Sequence, residues 1–205
     1  MQYERPRSRA LRSRLLQSLG SLLVVTLCLG GTARRASASE VAEGVDLTGK
    51  RVDPLHGDRR KAVVLVFVRT DCPISNRYAP TIQRLSAEYA GKVTFWLVYP
   101  DRTESAIAIQ KHLEEYGYKL PALRDPQHSL VKLAEVQVTP EVALFDGSGE
   151  LLYHGRIDNW YHDFGHARSA PTTHELNNAI QAVINGKAPE VASASGVGCY
   201  ISDLE

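Results

Sequence analysis

Cysteine is scarce in this chain, three in 205 residues, and the most telling of the three lacks a near neighbour. In Asp71-Cys72-Pro73-Ile74-Ser75-Asn76 a serine stands at 75, where a Cys-x-x-Cys pair would carry its second thiol. A disulfide cycling within one helical turn is therefore excluded. Basic charge is not in excess either: a net charge of +1 does not supply the surface that a nucleic-acid binder needs. Long apolar runs are missing too. The longest, inside Leu15 to Leu29, is unbroken for only about a dozen residues, short of the ~20 that span a bilayer. No internal repeat is present. With 43% hydrophobic and 23% charged residues, the chain has the composition of one globular domain plus an extension.

The extension is the N-terminus. Arg5, Arg7, Arg9, Arg12, Arg14, Arg34 and Arg35 face a single acid, Glu4, in the first 35 residues. A short apolar segment separates the two groups of arginines, and Ala36-Ser37-Ala38 follows in the small-x-small pattern of a signal-peptidase site. Residues 1–38 read as an export signal, residues 39–186 as the folded domain and 187–205 as a C-terminal tail. Export places the protein in the periplasm or outside the cell, with no stable membrane span after cleavage. An uncleaved signal would leave an N-terminal anchor. Lipid attachment at Cys28 is disfavoured by bulky Leu27 before it. Cleavage removes Cys28 and leaves Cys72 and Cys199, an even pair in an oxidising compartment and so a candidate disulfide or redox couple.

Along the domain, residues 39 to about 60 are polar and rich in turn formers, with a short strand at most. Residues 62–68 form an apolar strand. Tyr78, Ile82, Leu85 and Tyr89 recur at helical spacing from Ser75 or Asn76 onward, and Pro80 predicts a kink or a late start. Residues 93–99 predict a second strand, Thr103 to Gly117 a helix, residues 120–123 a short strand and 127–136 a third helix. Strands at 142–145 and 150–157 flank the turn Asp146-Gly147-Ser148-Gly149, and a last helix runs from Thr172 or Thr173 to Asn185. The order β-α-β-α-(β)-α-β-β-α predicts an α/β fold with helices on both faces of a mixed sheet. Cys72, where a strand ends and a helix begins, lies in the positive field of the helix N-terminus, which favours the thiolate.

Strand–Cys72–helix, then Val138-Thr139-Pro140-Glu141 opening a strand, then the Asp146–Gly149 hairpin resemble the thioredoxin-like superfamily over roughly residues 45–186. Within it the chain is similar to the redoxin branch, which includes alkyl hydroperoxide reductase and thiol-specific antioxidant proteins. The resemblance implies a three-layer thioredoxin-like fold and a cis proline, here Pro140 after Thr139, packed against the active cysteine. It also implies thiol-dependent oxidoreductase activity with no cofactor. Peroxiredoxins carry Pro-x-x-x-Thr-x-x-Cys; the matching positions here are Leu65, Arg69 and Cys72, so the hydroxyl that would hold peroxide is missing, and antioxidant activity is expected to be weak.

The expected nucleophile is Cys72, with Arg69 and Arg77 as supporting cations and Asp71 opposing them. Cys199 lies in Gly196-Val197-Gly198-Cys199, whose glycines let the backbone approach another surface. The tail is long enough to return to the sheet edge at ~3.3 Å per residue. Cys199 is then the expected resolving cysteine, the partners being an external thiol reductant and a protein disulfide or peroxide. Two other readings stand beside this one: a permanent structural disulfide, and a copper chaperone using Cys72, Cys199 and a histidine such as His154 or His166. The stretch with His154, His162, His166 and His174 reads as a polar loop, packed by Trp160, Tyr161 and Phe164.

Overall fold

The computed structural model describes residues 42–56, 61–202 and 204; the predicted signal segment and Cys28 lie outside the described residues. The polar leader forms a hairpin, β1 (Gly44–Asp46) and β2 (Arg51–Val52), rather than one strand at most. β3 (Ala62–Phe67) is buried at every residue. Ala62, Val64 and Val66 point into one apolar cluster and Val63, Leu65 and Phe67 into the other, the alternation that a strand imposes. Each of the Val, Leu and Phe side chains contributes roughly 1.5–3 kcal/mol on full burial.

Helix α1 (Pro73–Glu88) starts earlier than its apolar spacing predicts, with Pro73 at its first position. Proline fits there because the missing N–H would have had no partner in the helix. Pro80 is accommodated inside α1, so the late start does not occur. β4 (Val93–Tyr99) and α2 (Ala106–Glu115) follow, the latter capped by the Ser105 hydroxyl, which accepts the Ala108 N–H at 3.1 Å. After β5 (Ala122–Arg124), α3 spans only Ser129–Ala134. It is shorter than its apolar pattern because His128 and Glu135, at its two ends, take left-handed φ of 58° and 55°, which a right-handed helix cannot include.

β6 (Val138–Thr139), β7 (Glu141–Asp146) and β8 (Leu151–Gly155) come next. The histidine-rich stretch is a small antiparallel hairpin, β9 (Tyr161–Asp163) and β10 (His166–Ala167), not a loop. Helix α4 (Glu175–Ile184) precedes a tail that carries β11 (Ser193–Ala194) and β12 (Cys199–Tyr200).

The main sheet has the order β11-β8-β7-β3-β4-β5-β1-β2. β3, β4 and β5 run parallel, β11 runs parallel to β8, and the other pairs are antiparallel. Buried residues of α1, α2 and α4 join the cluster on one face and those of α3 the cluster on the other. This is the mixed α/β sandwich expected from the sequence. Two registers build the site. Phe67 pairs with Glu141, so the loop leaving β3 towards Cys72 lies beside Thr139-Pro140. Cys199 pairs with Thr139 across β12 and β6, which brings the tail to the same spot.

Candidate active site

Cys72 caps the N-terminus of α1, its backbone extended at φ −85°, ψ 110° and its carbonyl accepting the Asn76 N–H at 3.0 Å. The side chain is fully buried. Its Sγ–H donates to the Thr139 carbonyl at 3.1 Å, and the bond between Thr139 and Pro140 is cis, as the resemblance implies. Cys199 is half-buried, and both cysteines are free thiols. Gly198 permits this approach: a Cβ there would stand 2.0 Å from the Thr139 carbonyl oxygen. The Thr139 hydroxyl adds a donor to the Cys199 carbonyl at 3.4 Å.

The two sulfurs differ in acidity. Burial pushes the Cys72 thiol up, but hydrogen bonds from the Cys199 thiol, the Ser75 hydroxyl and the Ser75 and Cys199 amides outweigh it, and the net shift is downward. Ser75 is buried and its hydroxyl makes no hydrogen bond to any other group of the described residues within ordinary range; its influence on Cys72 is to lower the thiol's pKa. Cys199 is pushed up to about 12, first by burial and then by Cys72 beside it; Arg69 opposes the rise. Of the two thiols, Cys72 is therefore the one that ionises more readily, with Cys199 protonated beside it.

The two expected cations serve elsewhere. Arg77 is exposed and donates to the Tyr161 hydroxyl at 3.0 Å, which ties α1 to β9 and leaves Cys72 without it. Arg69 is held between Asp71 at 3.0 Å and Asp101 at 3.1 Å, and its charge acts to lower the Cys199 thiol. Thr70, the nearest hydroxyl to the empty peroxide-binding position, donates both its N–H (2.7 Å) and its Oγ1–H (2.6 Å) to Glu104.

Glu104 was not legible as a site residue. It is buried ahead of α2, and burial pushes its carboxyl up against the lowering by Thr70. From Thr70 a polar chain runs beneath the cysteine loop. Asn76 Nδ2 donates to the Thr70 carbonyl at 3.1 Å, and Asn76 Oδ1 faces His112 Nε2 at 2.8 Å. His112 Nδ1 meets the Tyr99 hydroxyl at 2.9 Å. Asn76 Oδ1 can only accept, so His112 donates from Nε2; the Tyr99 hydroxyl can then donate to Nδ1 of a neutral imidazole, the form that burial favours by lowering the pKa of His112. The only signal in the sequence was polar Asn76 and His112 among apolar helix positions.

Metal binding through the cysteines and a histidine is not supported by the donor set. Among the described residues no three His, Cys, Asp or Glu side chains gather into a metal-holding group. His154 stands 3.9 Å from Glu135 and His166 3.9 Å from Asp163. His174 precedes α4, and the His162 and His166 rings lie 5.8 Å apart on the exposed β9–β10 hairpin. The aromatic stretch before that hairpin packs on α1: Tyr78 donates to buried Asp158 at 2.6 Å and meets the Trp160 ring edge-on at 5.4 Å. Arg156 forks onto Glu175 and fixes the start of α4.

Among solved structures, the chain is similar to an uncharacterized conserved protein from Geobacillus kaustophilus, at 22% identity and a TM-score of 0.67 over 78% of this chain and 86% of that one. A hypothetical protein from Sinorhizobium meliloti 1021 is also 22% identical, with a TM-score of 0.64 over 78% of this chain and 88% of that one. An exposed lipoprotein thioredoxin of Streptococcus pneumoniae aligns at 21% identity and a TM-score of 0.51, over 70% of this chain and 97% of that one. These likenesses show the thioredoxin-like fold. No curated protein matches the chain. The redoxin family profile matches residues 34–164, more than half of the sequence, including Cys72, Thr139 and Pro140 but stopping short of Cys199. The chain belongs to the redoxin family.

Proposed function

We propose that this chain is an exported thiol–disulfide oxidoreductase in which Cys72 is the nucleophile and Cys199 the resolving cysteine. Family membership carries the coarse part, thiol-dependent oxidoreduction. The finer part rests on one observation: Cys199 is paired with Thr139, whose carbonyl holds the Cys72 thiol.

In the first step the Cys72 thiolate attacks a substrate disulfide R–S–S–R, forming Cys72–S–S–R and releasing R–S⁻, which takes a proton from solvent. Cys199 then loses its proton, attacks Cys72 Sγ and expels the second R–S⁻. Two protein thiols become one disulfide, and one substrate disulfide becomes two thiols. Burial and the negative charge on Cys72 together keep Cys199 protonated; a Cys72 sulfur in a mixed disulfide carries no charge, so that part of the push ends when the resolving attack is due. An external thiol donor reopens the Cys72–Cys199 bond.

A peroxide would enter by oxidising Cys72 to a sulfenic acid, which Cys199 resolves with loss of water. Position 69 holds an arginine engaged by two aspartates and the Thr70 hydroxyl is bound to Glu104, which supports disulfide exchange as the main activity and weak peroxidase activity at most. Non-reducing peptide mapping before and after a stoichiometric dose of disulfide or peroxide tests the reading. A Cys72–Cys199 cross-linked peptide is expected, reopened by thiol, and its failure to form would overturn the paired mechanism. A reduction potential below about −300 mV would instead mark the bond as structural.

A further inference from the structure

The two walls that hold the cysteines meet at one carboxylate. Glu141 follows Pro140 and opens β7, where it is buried among apolar residues. Its Oε2 accepts the backbone N–H groups of Gln137 at 2.8 Å and Val138 at 3.2 Å. These amides lead into Thr139, whose carbonyl receives the Cys72 thiol. Its Oε1 accepts the N–H of Gly196 at 2.9 Å, three residues before Cys199. Among the described residues no Lys or Arg pairs with Glu141; three amides hold its charge, a stronger arrangement than neutral hydrogen bonds. Glycine at 196 is part of the fit, since a Cβ there would lie 2.6 Å from Glu141 Cγ.

We propose that Glu141 is a positioning residue for the resolving step, latching the tail so that Cys199 stands over Cys72. This rests on the reading of Cys199 as the resolving thiol. The carboxylate does not touch the reacting sulfurs. Its contribution is to bind β6 and the tail at once, which raises the local concentration of one thiol at the other. An amide at 141 keeps one acceptor oxygen and turns an NH2 towards a backbone N–H, so one wall is released.

The test uses the full chain and oxidised glutathione as the disulfide, with acid quenching and mass spectrometry to time two events: formation of the Cys72–glutathione mixed disulfide and its conversion to Cys72–Cys199. In Glu141→Gln, conversion is expected to slow about tenfold, the effect of losing one charge-assisted hydrogen bond, while the first step, in which Cys199 is not the nucleophile, changes far less. Gly196→Ala, which leaves the carboxylate in place and only pushes the tail off it, should slow conversion in the same way and guards against a Glu141 variant that does not fold. Cys199→Ser should accumulate the mixed disulfide.

Conversion within twofold of wild type in both Glu141→Gln and Gly196→Ala, with Cys199→Ser still blocked, would overturn the latch and leave the resolving cysteine standing. Equal slowing of both steps would also overturn it, because a residue that only supports packing acts on the two alike. Unchanged conversion in Cys199→Ser would remove the resolving role itself, and the latch with it.

Discussion

Ser75 shows how one side chain can be read correctly as an absence and still be misjudged. The sequence shows that the second cysteine is missing; it does not show that the replacing hydroxyl is buried, without a hydrogen-bond partner among the described residues, where it lowers the pKa of Cys72. That fact depends on the turn of helix the residue occupies and on what covers it. Thiolate absorbance titration of single-thiol variants measures the consequence. Cys72 in Cys199→Ser, which keeps a hydroxyl donor, should titrate below the ordinary thiol value; Cys199→Ala should titrate higher than Cys199→Ser, and adding Ser75→Ala should raise it again. No difference among these variants would mean the donors do not act on the sulfur. The linkage has a definite sign. A thiol lowered in the folded state adds stability that is complete above its unfolded pKa and is lost as pH falls through the folded one, so Cys72 favours the reduced fold on the alkaline side. Cys199 does the reverse: its contribution is present below its ordinary 9.0 and is lost as pH rises towards about 12.

At the scale of elements, what was legible was whatever repeats. Alternation made β3 and β4 visible, and helical spacing made α1, α2 and α4 visible, because one buried face dictates each pattern. The tail had no such pattern. Ser193-Ala194 and Cys199-Tyr200 are strands only because they dock on β8 and β6, and a pairing imposed by a partner leaves no period in the docked sequence. Ends were misplaced where backbone conformation decided them, as at left-handed His128 and Glu135 flanking α3. Two substitutions separate the tail's grip from its aim. Ile201 is buried against the cluster that holds Val131 and Val136, and Ile201→Ala should cost about 2 kcal/mol in urea unfolding. Gly198→Ala removes no apolar contact but places a methyl group against the Thr139 carbonyl. It should lower the yield of the Cys72–Cys199 disulfide with a smaller loss of stability. Equal disulfide yields in Gly198→Ala and wild type would show that β12 pairing does not guide the sulfurs.

Across the whole domain, the site is assembled from residues that the chain keeps far apart: Cys72 after β3, Thr139-Pro140 before β7, and Cys199 near the end. Their convergence was legible for the first two, because β-strand order and the cis proline position are family features. For Cys199 only the length and glycines of the tail hinted at it. The network from Glu104 through Thr70, Asn76 and His112 to Tyr99 was not legible, since each bond in it joins separate elements. The tail has one more effect. β11 is the edge strand beside β8, and the carbonyls of Ala194 and of Ala192 just before it accept the N–H groups of Arg156 and His154 at 2.8 and 3.0 Å. Without it, β8 would offer a row of unpaired main-chain groups to any extended neighbour. A chain ending at residue 186 should therefore self-associate, seen as light scattering that grows with concentration; a monodisperse truncation would count against this. The stretch that carries the second thiol also covers the edge of β8, so trimming it for one purpose removes the other.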